Sequence, residues 1–248
     1  MRLRRTVSAW LGLALLSGRA FALEATVQRD GLVAFDVIRV DPRRDRLQLF
    51  LNNAAGRPYL GFGTLAEALA RRGQALRFAM NAGMYEPDYS PVGLFIDDGE
   101  QLAPLNLRGG RGNFYLKPNG VFWLDGKKAH VTESAQYARL APKPTLATQS
   151  GPMLVIDGRL HPAFIAHSPS RLMRNGVGVT SQGEVIFAIS ETPVNFHEFA
   201  SYFRDVLKCP DALYLDGSVS SIYAPELQRH DAHHSLGPII GVTAVRGL

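Results

Sequence analysis

Residues 212–221 read Ala212-Leu213-Tyr214-Leu215-Asp216-Gly217-Ser218-Val219-Ser220-Ser221. Four mostly apolar residues followed by an Asp-Gly turn signal predict a buried strand that stops at a carboxylate. As a strand, this stretch makes the chain a sheet protein and holds Asp216 at a sheet end. The Gly-Ser run behind it can present backbone N–H groups and the hydroxyls of Ser218, Ser220 and Ser221 to a polar ligand, an arrangement suited to an anion. Asp, Gly and Ser are also ordinary turn formers, so the same residues can serve only to end the strand.

Working outward, apolar runs meet hairpin signals four times. Residues 93–96 run into Asp97-Asp98-Gly99, residues 121–124 into Asp125-Gly126, and residues 153–156 into Asp157-Gly158. Residues 177–180 reach Gln182-Gly183 and continue into a second run at 185–189. Such dipeptides between apolar runs are the strongest short-range hairpin cue, so most pairing is expected to be antiparallel. Runs at 32–40 and 47–51, separated by Asp41-Pro42-Arg43-Arg44-Asp45, predict a further hairpin or paired strands. Residues 75–80 predict a strand that delivers Asn81-Ala82-Gly83-Met84-Tyr85 to its end, and residues 239–245 a last strand.

Two helices punctuate the strands. Thr64-Leu65-Ala66-Glu67 reads as a capping box, with Gly73 closing the helix. Asn195-Phe196-His197-Glu198 opens the second, with Phe199, Ala200, Phe203, Val206 and Leu207 on one face. The expected class is α+β: a largely antiparallel β-sheet core with hairpins and a few packed helices, in a single compact domain.

The N-terminus has its own pattern. Met1-Arg2-Leu3-Arg4-Arg5 is basic, residues 7–16 are apolar, and Ala20-Phe21-Ala22 fits an A-x-A cleavage site. This predicts a signal peptide over residues 1–22, cut after Ala22, and a mature domain over 23–248 that is periplasmic or secreted. The apolar run is shorter than the roughly 20 residues a spanning helix needs, and no later segment is long enough, so no integral membrane segment is expected after cleavage. Removing residues 1–22 deletes four arginines and no acid, so the net charge falls from +5 to +1. With no basic run elsewhere, nucleic acid is not an expected partner. Cys209 is the single cysteine, which excludes an intramolecular disulfide and is compatible with a periplasmic chain.

Several polar residues fall where apolar runs end: Asn81, Ser150 with Gly151, Arg171 and Arg174, Glu191, and Asp216. A planar guanidinium matches phosphate or carboxylate oxygens bidentately. Small residues admit a ligand close to the backbone, and carboxylates can move protons or attack a sugar carbon. Brought to one rim, they suit a substrate holding both a sugar and a phosphate. Taken singly, each has a plainer role as a surface charge or turn former. The aromatic Trp123 and the run Asn113-Phe114-Tyr115 can stack on a sugar or simply fill a core. The loop His230-Asp231-Ala232-His233-His234 carries metal-capable groups but neither zinc-helix nor calcium-loop spacing, so neither a metal nor a cofactor is expected. Residues 217–221 do not fit the G-x-S-x-G nucleophile elbow.

Taken in order, Asn81-Ala82-Gly83-Met84-Tyr85, Ser150-Gly151-Pro152, Arg174-Asn175-Gly176-Val177-Gly178 and residues 215–221 resemble the phosphodiester glycosidase family, across about residues 30–245. The resemblance implies hydrolysis of a sugar-1-phosphodiester at the sugar side, giving free sugar and a phosphomonoester. It implies that Asp216 is the leading catalytic carboxylate and that Arg174 holds the phosphate. Asn81 and Gly83 would line the pocket, Ser150 and Gly151 would form a close-approach loop, and Gly217, Ser218 and Ser220 would help bind. Glu191 is the candidate second acid, with Glu86 another, and Arg171 a further cation for the substrate. One departure stands out: the family's mammalian member has a glycine-rich run after its aspartate, where this chain has Ser218 and Val219. The expected partner is a glycosyl phosphodiester or a phosphorylated glycan. Two other readings stay open: a non-catalytic periplasmic protein binding glycan or phosphate, and a metal-dependent phosphodiesterase built on Asp216 and the His-rich loop.

Overall fold

The computed structural model describes residues 23–246, and its strands form three sheets in which every named pairing is antiparallel. The expected signal peptide, residues 1–22, lies outside the described residues. The largest sheet has seven strands, in the spatial order β1 (Glu24–Asp30), β2 (Val33–Val40), β13 (Val185–Ser190), β12 (Asn175–Val179), β14 (Asp211–Asp216), β10 (Met153–Ile156) and β11 (Arg159–Leu160). A second orders β16 (Arg229–His230), β15 (Ile222–Ala224), β4 (Gln74–Asn81), β17 (Ile239–Val245) and β3 (Arg46–Phe50). The third orders β6 (Glu100–Ala103), β5 (Phe95–Asp97), β9 (Leu146–Ser150), β7 (Gly120–Asp125) and β8 (Lys128–Glu133). Together with three short helices this is an α+β fold.

The central strands read as unbroken apolar runs because both of their faces are covered. Successive side chains point to opposite sides of a strand. On β14, Leu213 and Leu215 point into a core shared by all three sheets, with Ile38, Phe78, Phe122 and Phe187. Ala212 and Tyr214 point the other way, under helix α3 (Phe196–Ser201), with Phe199 and Phe203. Helix α1 (Phe62–Ala70) covers the outer face of the second sheet through Phe62, Leu65 and Leu69. Helix α2 (Ser134–Leu140) covers the third through Tyr137 against Val121 and Trp123. Burying each such large side chain contributes about 1.5–3 kcal/mol. The shared core fixes the ends of β4, β12 and β14 relative to one another.

All four predicted hairpins form, as β5–β6, β7–β8, β10–β11 and β12–β13. Three expectations are corrected. The runs at 32–40 and 47–51 do not pair: β2 lies between β1 and β13, while β3 pairs with β17 in another sheet. The hairpin partner of β2 is β1, turning at Gly31 with φ 59°. The helix at Thr64 begins earlier, with Gly61 at its N-cap and no side-chain cap; the Thr64 hydroxyl instead donates to the carbonyls of Tyr59 and Gly61. The box at Asn195 and Glu198 does form, but α3 passes into a π turn at Tyr202–Val206. That wider turn shifts the register and leaves Val206 exposed while Phe203 and Leu207 stay buried. Helix α2 was not anticipated; Glu133 caps it by accepting the N–H groups of Ala135 and Gln136.

Candidate active site

Asp216 ends β14 and is only 7 % exposed. Its Oδ1 accepts backbone N–H groups from Gly217 at 2.5 Å, Ser218 at 2.7 Å and Val219 at 3.4 Å. The chain therefore wraps around its own carboxylate and holds it in one orientation. Burial pushes the carboxyl above the usual carboxylate range, against the pull of these N–H groups and of His234. A carboxyl so poised trades protons nearer neutral pH than a solvated one.

Two asparagines set the turn that follows. Asn81, at the end of β4, and Asn175, at the start of β12, are both fully buried and bond to each other across the sheets at 3.0 and 3.3 Å. Asn81 Oδ1 also accepts the Ser221 N–H at 2.9 Å. The Ser220 hydroxyl bridges the Asp216 carbonyl at 2.9 Å, the Met173 carbonyl at 3.0 Å and Asn175 Oδ1 at 3.3 Å. Asn175 also sits opposite Asp216 in the β12–β14 ladder. Asn81, Asn175, Ser220 and Ser221 thus form one polar lock beneath residues 216–221.

Arg174 sits behind the turn. It is fully buried, its guanidinium lies 3.8 Å from the Phe196 ring centroid, and it donates to the Val194 carbonyl at 2.9 Å, the Ser170 carbonyl at 3.1 Å and Tyr214 Oη at 3.3 Å. Burial holds its pKa below the usual arginine value. No carboxylate among the described residues forms an ion pair with it. A Cβ built on Gly217 would stand 2.1 Å from Tyr214 Oη and 3.4 Å from Arg174 Nη1, so the turn rests directly on this pair.

Above the turn opens a cleft of about 550 Å³, lined by Asp216, Ser218 and Val219 on one side. Met84, Tyr85 and Glu86 supply a second wall, and Arg111, Phe114 and Tyr115 a third. Tyr85 donates to the Ser235 carbonyl at 2.5 Å, and burial together with the nearby Asp216 charge pushes its phenol up. Arg111 is exposed at the mouth and takes part in no ion pair among the described residues. The cleft thus combines a buried carboxyl, a second carboxylate, aromatic rings and a cation open to solvent.

Of the residues singled out in the sequence, the structure gathers Asp216, Gly217, Ser218, Ser220, Asn81 and Arg174 around one turn. Gly83 adopts φ 142°, and a side chain there would press on the Gln149 carbonyl at 3.3 Å. Ser150 is fully buried and donates to the Leu215 carbonyl at 3.0 Å. The space a side chain at Gly151 would need is filled by Asn119 and the Phe114 carbonyl, so the close approach there is to protein. Arg171 is ion-paired with Glu198 at 2.8 Å, outside the cleft lining. Glu191 is exposed and also outside that lining; it faces Asp36, whose carboxyl is raised by burial and in part by this neighbour. Glu86 does line the cleft.

Arg111 at the cleft was not foreseen, and Tyr85 only as part of the 81–85 run; Tyr115, one of the aromatics able to stack on a sugar, lines the cleft with Phe114. Arg111 lies in the loop Arg108-Gly109-Gly110-Arg111-Gly112, whose glycines mark a loop but not where it folds back. Trp123 packs against His130 and Tyr137 instead of facing the cleft. Cys209 is buried, and burial pushes its thiol up to about 12. Among the described residues, no three His, Cys, Asp or Glu side chains are grouped as a metal-ligand set, and no helix is long and apolar enough to cross a membrane.

Comparison with known proteins adds the following. The sequence model of the phosphodiester glycosidase family matches residues 74–243. The chain is 33% identical over 214 residues to the Escherichia coli K12 protein named "Uncharacterized protein YigE", covering 86% of this chain and 84% of that one. Its fold is similar to the zebrafish N-acetylglucosamine-1-phosphodiester alpha-N-acetylglucosaminidase catalytic domain, auto-inhibited by pro-peptide, with a TM-score of 0.63. That likeness has 13% identity and covers 91% of this chain and 84% of the other. A putative exported protein from Burkholderia pseudomallei K96243 shares the fold at a TM-score of 0.52 and 14% identity, over 85% and 74% of the two chains.

Proposed function

The chain belongs to the phosphodiester glycosidase family, and from that premise we propose that it hydrolyses a glycosyl phosphodiester at the sugar side, with Asp216 as the base. The observation that carries this reading is the buried, backbone-held Asp216 carboxylate opening into a cleft that also holds Glu86 and Arg111. Water attacks the anomeric carbon and gives its proton to Asp216. The bond between that carbon and the phosphate oxygen breaks, and the electron pair leaves with the phosphomonoester. A phosphate leaving group needs its negative charge met more than it needs a proton. Arg111, unpaired at the mouth, is suited to that task. Glu86 is the second carboxylate of the cleft, in place of the more distant Glu191. Arg174 acts from behind, seating the 216–221 turn and adding positive charge beneath it. Tyr115 offers a ring for a sugar to rest on, and Val219 narrows the floor of the cleft.

The direct test is incubation of purified protein with a sugar-1-phosphodiester. Free sugar and phosphomonoester in equal amounts are expected, and tight binding without product would favour the binding-protein reading instead. Arg111→Gln is expected to lower kcat about tenfold with a smaller rise in KM, because the charge it meets grows as the phosphate leaves. Unchanged kcat and KM would remove Arg111 from the site.

The proposal includes export. The basic start, apolar run and A-x-A pattern of residues 1–22 support a cleaved signal peptide, leaving one phosphodiester glycosidase-like domain over 23–248 in the periplasm or outside the cell. Intact mass of the chain recovered from the periplasm or medium should correspond to a start at Leu23. A chain still beginning at Met1 would contradict cleavage.

A further inference from the structure

A second hollow, of about 580 Å³, adjoins the cleft across the loop that carries Glu86. The loop is a tight turn: Tyr85 bridges Pro91, Glu86 N–H donates to the Ser90 carbonyl and Tyr89 N–H to the Glu86 carbonyl. Its residues divide between the two spaces. Tyr85 and Glu86 line the cleft, whereas Asp88 and Tyr89 line the hollow. The Tyr85 and Tyr89 rings stack at 5.7 Å, so the two spaces meet at this pair. Tyr89 is held at φ 68°, a left-handed conformation that a bulky residue seldom adopts and that marks a position fixed by its surroundings.

The hollow is lined by two arginines, two carboxylates and two tyrosines. Arg57 and Arg71 line it, with Asn53 and Tyr59. Neither guanidinium forms an ion pair with a described residue. The acids there are Glu67 and Asp88, and Asp88 is already engaged by the Ser90 hydroxyl at 2.6 Å and the Ser90 N–H at 3.0 Å. A shallower space of about 340 Å³ shares Asn53 and Arg71 and adds Arg72. Beyond the tyrosine pair the hollow thus offers two guanidinium groups, Arg57 and Arg71, beside Glu67 and Asp88, with Arg72 in the adjoining space.

We propose that this hollow receives the far end of the aglycone, and that the aglycone carries a second phosphate held by Arg57 and Arg71. A phosphomonoester carries close to two negative charges near neutral pH and matches two guanidinium forks. The proposal rests on the reading of the Asp216 cleft as a glycosyl phosphodiester site, because it uses the part of the substrate beyond the scissile phosphate.

The test compares glucosyl-1-phosphoglycerol with the same compound phosphorylated on the terminal glycerol hydroxyl. Both are titrated calorimetrically into the Asp216→Asn protein, so that binding is read without turnover. The bisphosphate is expected to bind about tenfold more tightly, with the advantage shrinking as salt rises. In the Asp216→Asn, Arg57→Gln, Arg71→Gln protein the advantage should fall below about twofold while the shorter probe binds unchanged. Equal affinity of the two probes, failure of both to bind, or an advantage that survives loss of both arginines would overturn the proposal. Hydrolysis by the wild-type protein separates the two readings. Turnover of the short probe with no preference for the bisphosphate defeats the hollow alone. A bisphosphate that binds through Arg57 and Arg71 but is never cleaved defeats the hydrolytic reading alone.

Discussion

Asp216→Asn is expected to lower kcat about 10³-fold while the thermal midpoint and substrate affinity stay close to wild type. General base catalysis contributes roughly 10²–10⁴-fold, and the amide removes the proton acceptor with almost no change in shape. Its oxygen still accepts the Gly217, Ser218 and Val219 N–H groups, so the turn should hold. A pH profile adds a second signature. Burial raises the folded carboxyl's pKa, so the base form is lost earlier on acidification than for a solvated Asp. Wild-type kcat should therefore fall as pH drops through a value above the ordinary carboxylate range, and the residual rate of the variant should lack that limb. A variant within about tenfold of wild type would remove Asp216 from the chemistry.

Gly217→Ala should be nearly as damaging, by geometry alone. The added Cβ would lie 2.1 Å from Tyr214 Oη, far inside contact distance. Tyr214 is buried under α3 and bonded to Arg174, so the turn has to move instead. Overpacking of this kind costs about 1–3 kcal/mol, and a shift of about 1 Å in a catalytic group can cost about 10²-fold in rate. Tyr214→Phe removes the clashing oxygen and leaves ring carbon Cζ at 3.3 Å. By itself that change should cost about 1 kcal/mol for the lost Arg174 bond. The double variant should then be more stable and more active than Gly217→Ala alone, a coupling read by a double-mutant cycle. Additive losses would mean that the turn does not rest on Tyr214.

What the sequence made legible follows from local rules. The 212–221 stretch could be read because a buried strand, a carboxylate and an Asp-Gly signal coincide within ten residues. The four hairpins were readable because each turn lies next to both of its strands. The pairing of β2 and β3 was not, since an apolar run declares a strand without declaring its partner. Val206 was misplaced because a 3.6-residue period cannot foresee a π turn. The cleft was half legible. Asn81 and Asp216 sit at strand ends, where the sheets carry them together, whereas Glu86 and Arg111 lie on loops positioned only by the whole fold. The family resemblance implied a phosphate contact for Arg174, and no local pattern disclosed that Phe196 and Tyr214 would enclose its guanidinium.

The central claim concerns which bond breaks, and hydrolysis in water enriched in oxygen-18 reads it directly. Attack at the anomeric carbon puts the label into the released sugar and leaves the phosphomonoester unlabelled, as expected here for the wild-type protein. Label in the phosphomonoester, with unlabelled sugar, would mean attack at phosphorus and would contradict the account.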